Sequence, residues 1–299
     1  MSTTAKAMTP VMIEFGARSD VGRMRENNED SFRAAPELGL FILSDGMGGL
    51  EAGEVASKLT VETVFAHCRD AEASPDLPYE GEQLAGASET SNRLASAIQA
   101  ANKVVRAAAG FDDADGRAAE RDADTVGTAT SAPKGMGATV VAVQFFGERV
   151  SVAHVGDSRA YRLRGGEFLQ LTEDHSLVAQ QVREGRMTAS EAEASPLKNV
   201  LMRALGVDAA VEVEVDEEIA IEGDAYVLCS DGLTRELTDG QIAAVLTEAV
   251  NPQNAADRLI ELANAAGGGD NITAIVVRVG AKSGGTLGKI GRWITGNGN

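Results

Sequence analysis

Phe41-Ile42-Leu43-Ser44-Asp45-Gly46 joins a run of large apolar side chains directly to an aspartate and a glycine. Such a run reads as a buried strand, expected at 38–43, that delivers a carboxylate at its end. The same design recurs. Val227-Leu228-Cys229-Ser230 runs into Asp231-Gly232, and Val152-Ala153-His154-Val155-Gly156 delivers Asp157. Gly268-Gly269-Asp270-Asn271 opens onto Ile272-Thr273-Ala274-Ile275. Taken singly, an Asp-Gly is an ordinary tight-turn dipeptide. Repeated at the ends of rigid strands, these carboxylates would repel one another unless a cation sat among them. All-oxygen ligands select hard ions, meaning Mg²⁺, Mn²⁺ or Ca²⁺, over zinc.

Outward from this stretch the chain alternates short strands with paired helices. Further strands are expected at 11–18, 139–146, 150–155, 160–163, 211–215, 225–229 and 272–279. Val211-Glu212-Val213-Glu214-Val215 alternates with period two, as a strand with one wet face does. Phe145-Phe146-Gly147-Glu148-Arg149-Val150 reads as a hairpin turn, and short connections throughout favour antiparallel pairing. One helix pair is expected at 51–68 and 90–109. A second opens with a capping box, Thr238 with Gln241, and runs to 249. Its partner starts at Asn251, with Pro252 at the first helical position, and stops at Gly267-Gly268-Gly269. This order predicts an α+β domain of antiparallel sheets covered by helix pairs.

The expected domain spans 11–280, between a short tail at 1–10 and a flexible tail at 281–299. Within it, 111–134 lacks any periodic apolar face and reads as a surface insertion. The segment 175–205 has short helical pieces, with a capping box at Thr188 and Glu191, and reads as a flap over a site.

Composition narrows the function. The formal net charge of −18 over 299 residues opposes binding to nucleic acid or anionic membrane. No run of about 18 apolar residues provides a spanning helix. Cys68 and Cys229 are too few for a disulfide framework and read as reduced, buried thiols of a cytoplasmic protein. His67, His154 and His175 lack metalloprotease spacing, and there is no Gly-x-Ser-x-Gly elbow, Walker loop or Cys-x₅-Arg cradle. The chemistry therefore rests on metal-activated water.

At these residues the chain resembles the protein phosphatase 2C family, the metal-dependent serine/threonine phosphatases. Gly22-Arg23-Met24-Arg25-Glu26-Asn27-Asn28-Glu29-Asp30 is similar to its opening motif, and Ser44-Asp45-Gly46-Met47-Gly48-Gly49 to the next. Met136-Gly137-Ala138-Thr139, Gly156-Asp157-Ser158-Arg159, Thr172-Glu173-Asp174-His175, Ser230-Asp231-Gly232 and Gly269-Asp270-Asn271 follow in the family's order.

The resemblance implies a four-layer α-β-β-α fold, a β-sandwich of two antiparallel sheets flanked by pairs of antiparallel helices. It implies two Mn²⁺ or Mg²⁺ ions held by Asp45, the Gly46 carbonyl, Asp231, Asp270 and Glu29. Asp30 stands behind them and Asp157 at a third, weaker metal position. Arg25 holds the substrate phosphate, its planar fork matching two phosphate oxygens. The implied partners are phosphorylated proteins and a cognate serine/threonine kinase, and the implied state is a monomer. Met47 is usual in the bacterial branch, where other members carry a histidine proposed as general acid. Gly135 stands where some members have an aspartate for the third metal. Arg159 is expected in a structural ion pair, His154 in the core, and Ser44 and Ser230 as hydrogen-bonding neighbours of the ligands. Two other readings compete: an inactive phosphoprotein-binding module, which would lack a metal aspartate, and a Ca²⁺-binding domain, which would not use Arg25.

Overall fold

The structure, a computed structural model, describes residues 11–48, 51–111 and 135–280. The tails expected at 1–10 and 281–299, and the insertion expected at 111–134 apart from Phe111, lie outside these residues. The first elements are β1 (Met12–Asp20), β2 (Asp30–Ala35), β3 (Leu40–Met47), α1 (Ala52–Ala73) and α2 (Glu89–Ala108). Next come β4 (Gly137–Ala138), β5 (Val140–Phe146), β6 (Arg149–Val155), β7 (Arg159–Arg164) and β8 (Glu167–Gln170). Short helices α3 (Leu177–Arg183) and α4 (Ala189–Ala194) lead to β9 (Glu214–Ile219) and β10 (Ala225–Cys229). A single turn, α5 (Asp231–Thr234), precedes α6 (Asp239–Glu248), α7 (Pro252–Ala266) and β11 (Ile272–Gly280).

The strands form two antiparallel sheets, ordered β1-β11-β10-β7-β8 and β2-β3-β5-β6-β9, with β4 paired to β3. The first and last strands pair along their whole length, Met12 opposite Gly280 and Asp20 opposite Ile272. In β3, Phe41 and Leu43 enter the core between the sheets, where they meet Val141, Val143, Tyr226, Leu228, Ile275 and Val277. Their neighbours Leu40 and Ile42 point the other way and pack under α1 and α2, against Val61, Val64, Leu94 and Ile98. Alternate residues face opposite sides of a strand, so a strand buried on both sides needs the unbroken apolar run seen in the sequence. Burying each such side chain contributes about 1.5–3 kcal/mol. A third core seats α6 and α7 on the other sheet through Val227, Cys229, Ile242, Leu246, Leu259 and Val276.

Both expected capping boxes form, at Thr188 with Glu191 and at Thr238 with Gln241, and Asn251 caps α7 ahead of Pro252. Three expectations shift. Helix α1 continues to Ala73, because Cys68 and Ala71 extend its buried stripe. The strand expected at 211–215 pairs only from Glu214, opposite His154, to Ile219. Val211 and Val213 are buried as their alternation required, but they do not pair with β6; the Val211 carbonyl accepts from Gln99 instead. Strand β3 runs on through Asp45 and Gly46 to Met47, so Asp45 lies within a strand and not after it. Strands β2 and β8 were not expected; each owes its existence to a neighbour, β3 and β7 respectively. Among the described residues, no helix is long and apolar enough to cross a membrane.

Candidate metal centre

One end of the sandwich collects the carboxylates. Asp30 opens β2 and sits directly opposite Asp45 of β3. Asp45 is fixed by its backbone: its N–H donates to Thr139 Oγ1 at 3.0 Å and its carbonyl accepts from Thr139 N–H at 2.8 Å. Asp157 lies in the turn between β6 and β7, Asp231 at the first position of α5 after β10, and Asp270 just before β11. Both sheets therefore contribute. Gly46 N–H donates to the Glu29 carbonyl at 3.1 Å, which brings Glu29 beside β3. No side chain fits at Gly46, where a Cβ would lie 1.9 Å from the Gly53 carbonyl oxygen. At Gly53, in the first turn of α1, a Cβ would lie 2.7 Å from the Glu29 carboxylate and 2.8 Å from the Gly46 oxygen. Two glycines thus let the helix start, a strand carbonyl and a carboxylate meet.

The electrostatics carry the signature of unrelieved negative charge. Burial raises the Asp45 pKa well above the carboxylate range, and Asp30, Asp231, Asp157 and Asp270 add to it by repulsion. Asp30 is pushed up to about 7, chiefly by burial, although hydrogen bonds from Thr273 and Ser230 oppose the rise. Asp157 also reaches about 7, through burial and then the charges of Asp231 and Asp174. Asp231 is raised by burial against the pull of Arg235, and Glu29 by burial against the pull of Arg25. Two buried oxygens, Asp30 Oδ1 and Asp231 Oδ1, have no hydrogen-bond partner among the described residues. Buried polar atoms are rarely left so, and a carboxylate-lined set with vacant lone pairs fits hard divalent cations.

Ser230 takes the neighbouring role expected of it, while Thr273 escaped the sequence reading. Ser230 Oγ and Thr273 Oγ1 donate to Asp30 Oδ2 at 2.8 and 2.7 Å. Asn271 Oδ1 accepts from Glu29 N–H at 2.8 Å, while its Nδ2 donates to the carbonyls of Val21 and Asn27. Ser44 Oγ donates to the Thr139 carbonyl at 2.6 Å, in the neighbouring role expected of it. Arg25 lies half exposed at the rim and grips Asp270, with Nε 2.9 Å from Oδ1 and Nη2 2.9 Å from Oδ2. Arg235 was not singled out. It pairs with Asp231 and reaches Asp270 Oδ2 at 2.8 Å. The detectable signal was its spacing, four residues after Asp231 on a helical turn.

Arg159 forms the expected structural pair, a two-pronged contact to Asp174 at 2.8 and 2.6 Å. His154 is buried in β6 and stacks on buried His175, ring centroids 4.6 Å apart. His175 Nδ1 accepts from Gly156 N–H at 3.1 Å, so Nε2 carries the proton and faces Glu214 Oε1 at 3.0 Å. His154 Nε2 lies 2.8 Å from the Glu173 carbonyl, and Arg203 sits 2.7 Å from Glu214 Oε1. Both histidines and Glu214 come close enough to hold a metal ion. Each has a hydrogen-bond partner, however, and a cationic guanidinium already occupies the position facing Glu214. Cys68 and Cys229 are buried free thiols pushed up to about 12, which makes both poor nucleophiles. A cavity of about 560 Å³ lined by Val11, Pro36, Cys68 and Phe145 opens at the far end of the sandwich, away from every carboxylate above.

A two-sheet sandwich with helix pairs outside and acidic groups from both sheets at one end defines a class of metal-dependent hydrolase. The sequence pattern of that class, protein phosphatase 2C, matches residues 23–265. The chain is 38% identical over 273 residues to the serine/threonine protein phosphatase PstP of Mycobacterium tuberculosis, covering 91% of this chain and 46% of the relative. It spans less than half the length of that relative. It is 36% identical over 263 residues to the serine/threonine phosphatase stp of Listeria innocua, covering 87% of this chain and 93% of the relative. A solved structure of the PstP catalytic domain in complex with two manganese ions is 38% identical, covers 90% of this chain and 99% of that one, and superposes with a TM-score of 0.67. The chain belongs to the protein phosphatase 2C family.

Proposed function

We propose that the protein hydrolyses phosphoserine and phosphothreonine on other proteins, with two divalent cations, Mn²⁺ or Mg²⁺, at the carboxylate end of the sandwich. The observation that carries this reading is the convergence of Glu29, Asp30, Asp45, Asp157, Asp231 and Asp270 from both sheets, with two of their buried oxygens unpartnered. Asp45, the Gly46 carbonyl, Asp231, Asp270 and Glu29 would hold the ions. Asp30 and Asp157 would stand behind them, Asp157 next to a third position. Such ions supply Lewis acidity and make a water nucleophilic near neutral pH.

The chain's own residues do the rest. Ser230, Thr273 and the Thr139 backbone lock Asp30 and Asp45 in place, so that little reorganisation is left for the reaction. Arg25, half exposed at the rim and paired with Asp270, would turn its fork to two phosphate oxygens and hold the phosphoryl group for in-line attack. Met47 carries no transferable proton, so it does not protonate the leaving oxygen. Neither cysteine takes part.

On this reading the counterpart of the enzyme is the serine/threonine kinase that placed the phosphate, and the protein works as a monomer in a bacterial cytoplasm. The buried free thiols support that compartment. The test is turnover of p-nitrophenyl phosphate and of a phosphothreonine peptide with Mn²⁺ or Mg²⁺, which EDTA should abolish. Undiminished turnover after chelation and dialysis would sink the reading.

A further inference from the structure

Arg235 is placed by the helical turn that Asp231 begins. Four residues on, its guanidinium returns over the carboxylate that started the turn. It does more than close that pair. Nη1 lies 2.8 Å from Asp270 Oδ2, and Nη2 also donates to Asn199 Oδ1 at 3.1 Å. Asn199 belongs to the 175–205 segment, whose ends are held by the bridges Ser176 to Leu201 and Ala138 to Leu205. One side chain therefore spans two carboxylates of the centre and the segment beside it. Arg25, by contrast, touches only Asp270 among them and is half exposed, against 31% for Arg235.

Between them the two guanidiniums engage both oxygens of Asp270, and Arg235 engages one oxygen of Asp231. Asp231 Oδ1 has no hydrogen-bond partner among the described residues. A dication bound at these carboxylates meets the guanidinium packed against them, and the two like charges repel where water is scarce. Resting on the metal reading above, we infer that Arg235 is the resident counter-ion of the Asp231–Asp270 half of the centre. A divalent cation enters there by exchange: the guanidinium leaves as the ion arrives, and its departure releases Asn199 and the segment that carries it. Metal loading is thus coupled to the freedom of residues 197–202.

Mn²⁺ binding by calorimetry and melting with and without Mn²⁺, in wild type, Arg235→Gln and Arg25→Gln, test the exchange. Amide hydrogen exchange over 197–202 is read alongside. Arg235→Gln should bind Mn²⁺ roughly three- to tenfold more tightly, the range expected for losing a partly exposed ion-pair competitor. Its metal-free form should melt lower than wild type, and the shift on adding Mn²⁺ should widen. In wild type, Mn²⁺ should speed exchange over 197–202; in Arg235→Gln that response should be absent. Unchanged affinity, with the Mn²⁺ response of 197–202 retained, would overturn the exchange while leaving the metal reading standing. An equal gain in Arg25→Gln would reduce the effect to general charge and overturn it too. No Mn²⁺ binding in any of the three proteins would remove the metal reading and this inference together.

Discussion

Two buried clusters of titratable groups lie about one short turn apart, joined by Gly156 and Asp157, and they are built on opposite terms. At His154, His175 and Glu214 each group meets a partner: Gly156 N–H, the Glu173 carbonyl or the Arg203 guanidinium. His175 is pushed down to about 4, mainly by burial and then by the neighbouring His154, so it packs as a neutral ring. At Asp30, Asp45, Asp157 and Asp231 the pKa values all move up, and two oxygens stay unsatisfied. The first cluster is complete as folded and reads as structure. The second is incomplete as folded, and that separates a binding centre from a hydrogen-bonded core better than residue type does. By residue type alone, two histidines and a glutamate would be the stronger metal candidate.

Substitutions can break that contrast. The largest effect is expected at Asp231, whose replacement by Asn keeps the shape and removes the charge of a proposed ligand. Asp231→Asn should lower kcat at least about a hundredfold and weaken Mn²⁺ binding by calorimetry, in a protein that stays folded. Near wild-type phosphopeptide hydrolysis in that variant would show that the centre is misplaced. Next comes Arg25→Ala, where loss of a charge-assisted fork should cost roughly ten- to hundredfold in kcat/KM, measured on the same peptide. His175→Ala should instead act on stability, by about 1–3 kcal/mol in urea unfolding, with kcat changed by no more than a few-fold. A hundredfold fall in kcat there would erase the distinction between the clusters.

The smallest effect is a sign. Asp30 and Asp157 bind protons more tightly folded, at about 7, than unfolded, near 3.9. Their contribution is present in acid and is lost as pH rises towards 7. His175 runs the other way: folded it resists protonation down to about 4, so stability is lost as pH falls below roughly 6.5. Melted in EDTA, the protein should lose a few degrees between about pH 4 and 7, where the two carboxylates outweigh the single histidine, and Mn²⁺ should flatten or reverse that fall. His175→Ala should steepen that fall between about pH 4 and 6.5, because the histidine opposes it there. A metal-free melting temperature that does not fall between about pH 4 and 7 would mean that the carboxylates are not held together against their charge.

Much of this could be read from the chain. The run ending in Asp45-Gly46 named a strand buried on both faces, and the two capping boxes and Asn251-Pro252 marked their helices to within a residue or so. Those signals are local: a run, a cap and a stop each act within a few residues of themselves. What was missed depends on partners far along the chain. Strand β2 has a mixed sequence, Asp30-Ser31-Phe32-Arg33-Ala34-Ala35, and is a strand because β3 pairs with it. The strand placed at 211–215 begins only at Glu214, where pairing with His154 of β6 starts. Asp30 is held by Ser230 and Thr273, two hundred residues and more away, which no spacing rule connects. Arg235 lay within reach, four residues from an aspartate already chosen, but a single such pair is common on any helix.

The position of β11 bears on when the protein becomes active during its synthesis. It is the last of the described strands to leave the ribosome, yet it lies inside its sheet, between β1 and β10. Asp270 precedes it, and Thr273 within it is needed to hold Asp30. A nascent chain can fold α1 and α2 onto β3 and β5 early, because those contacts are closer in sequence. Until β11 inserts, however, β1 has no neighbour and the acidic groups of the two sheets have nothing to register them. A chain broken before residue 270 therefore lacks Asp270 and Thr273 and leaves β1 and one side of β10 as open sheet edges.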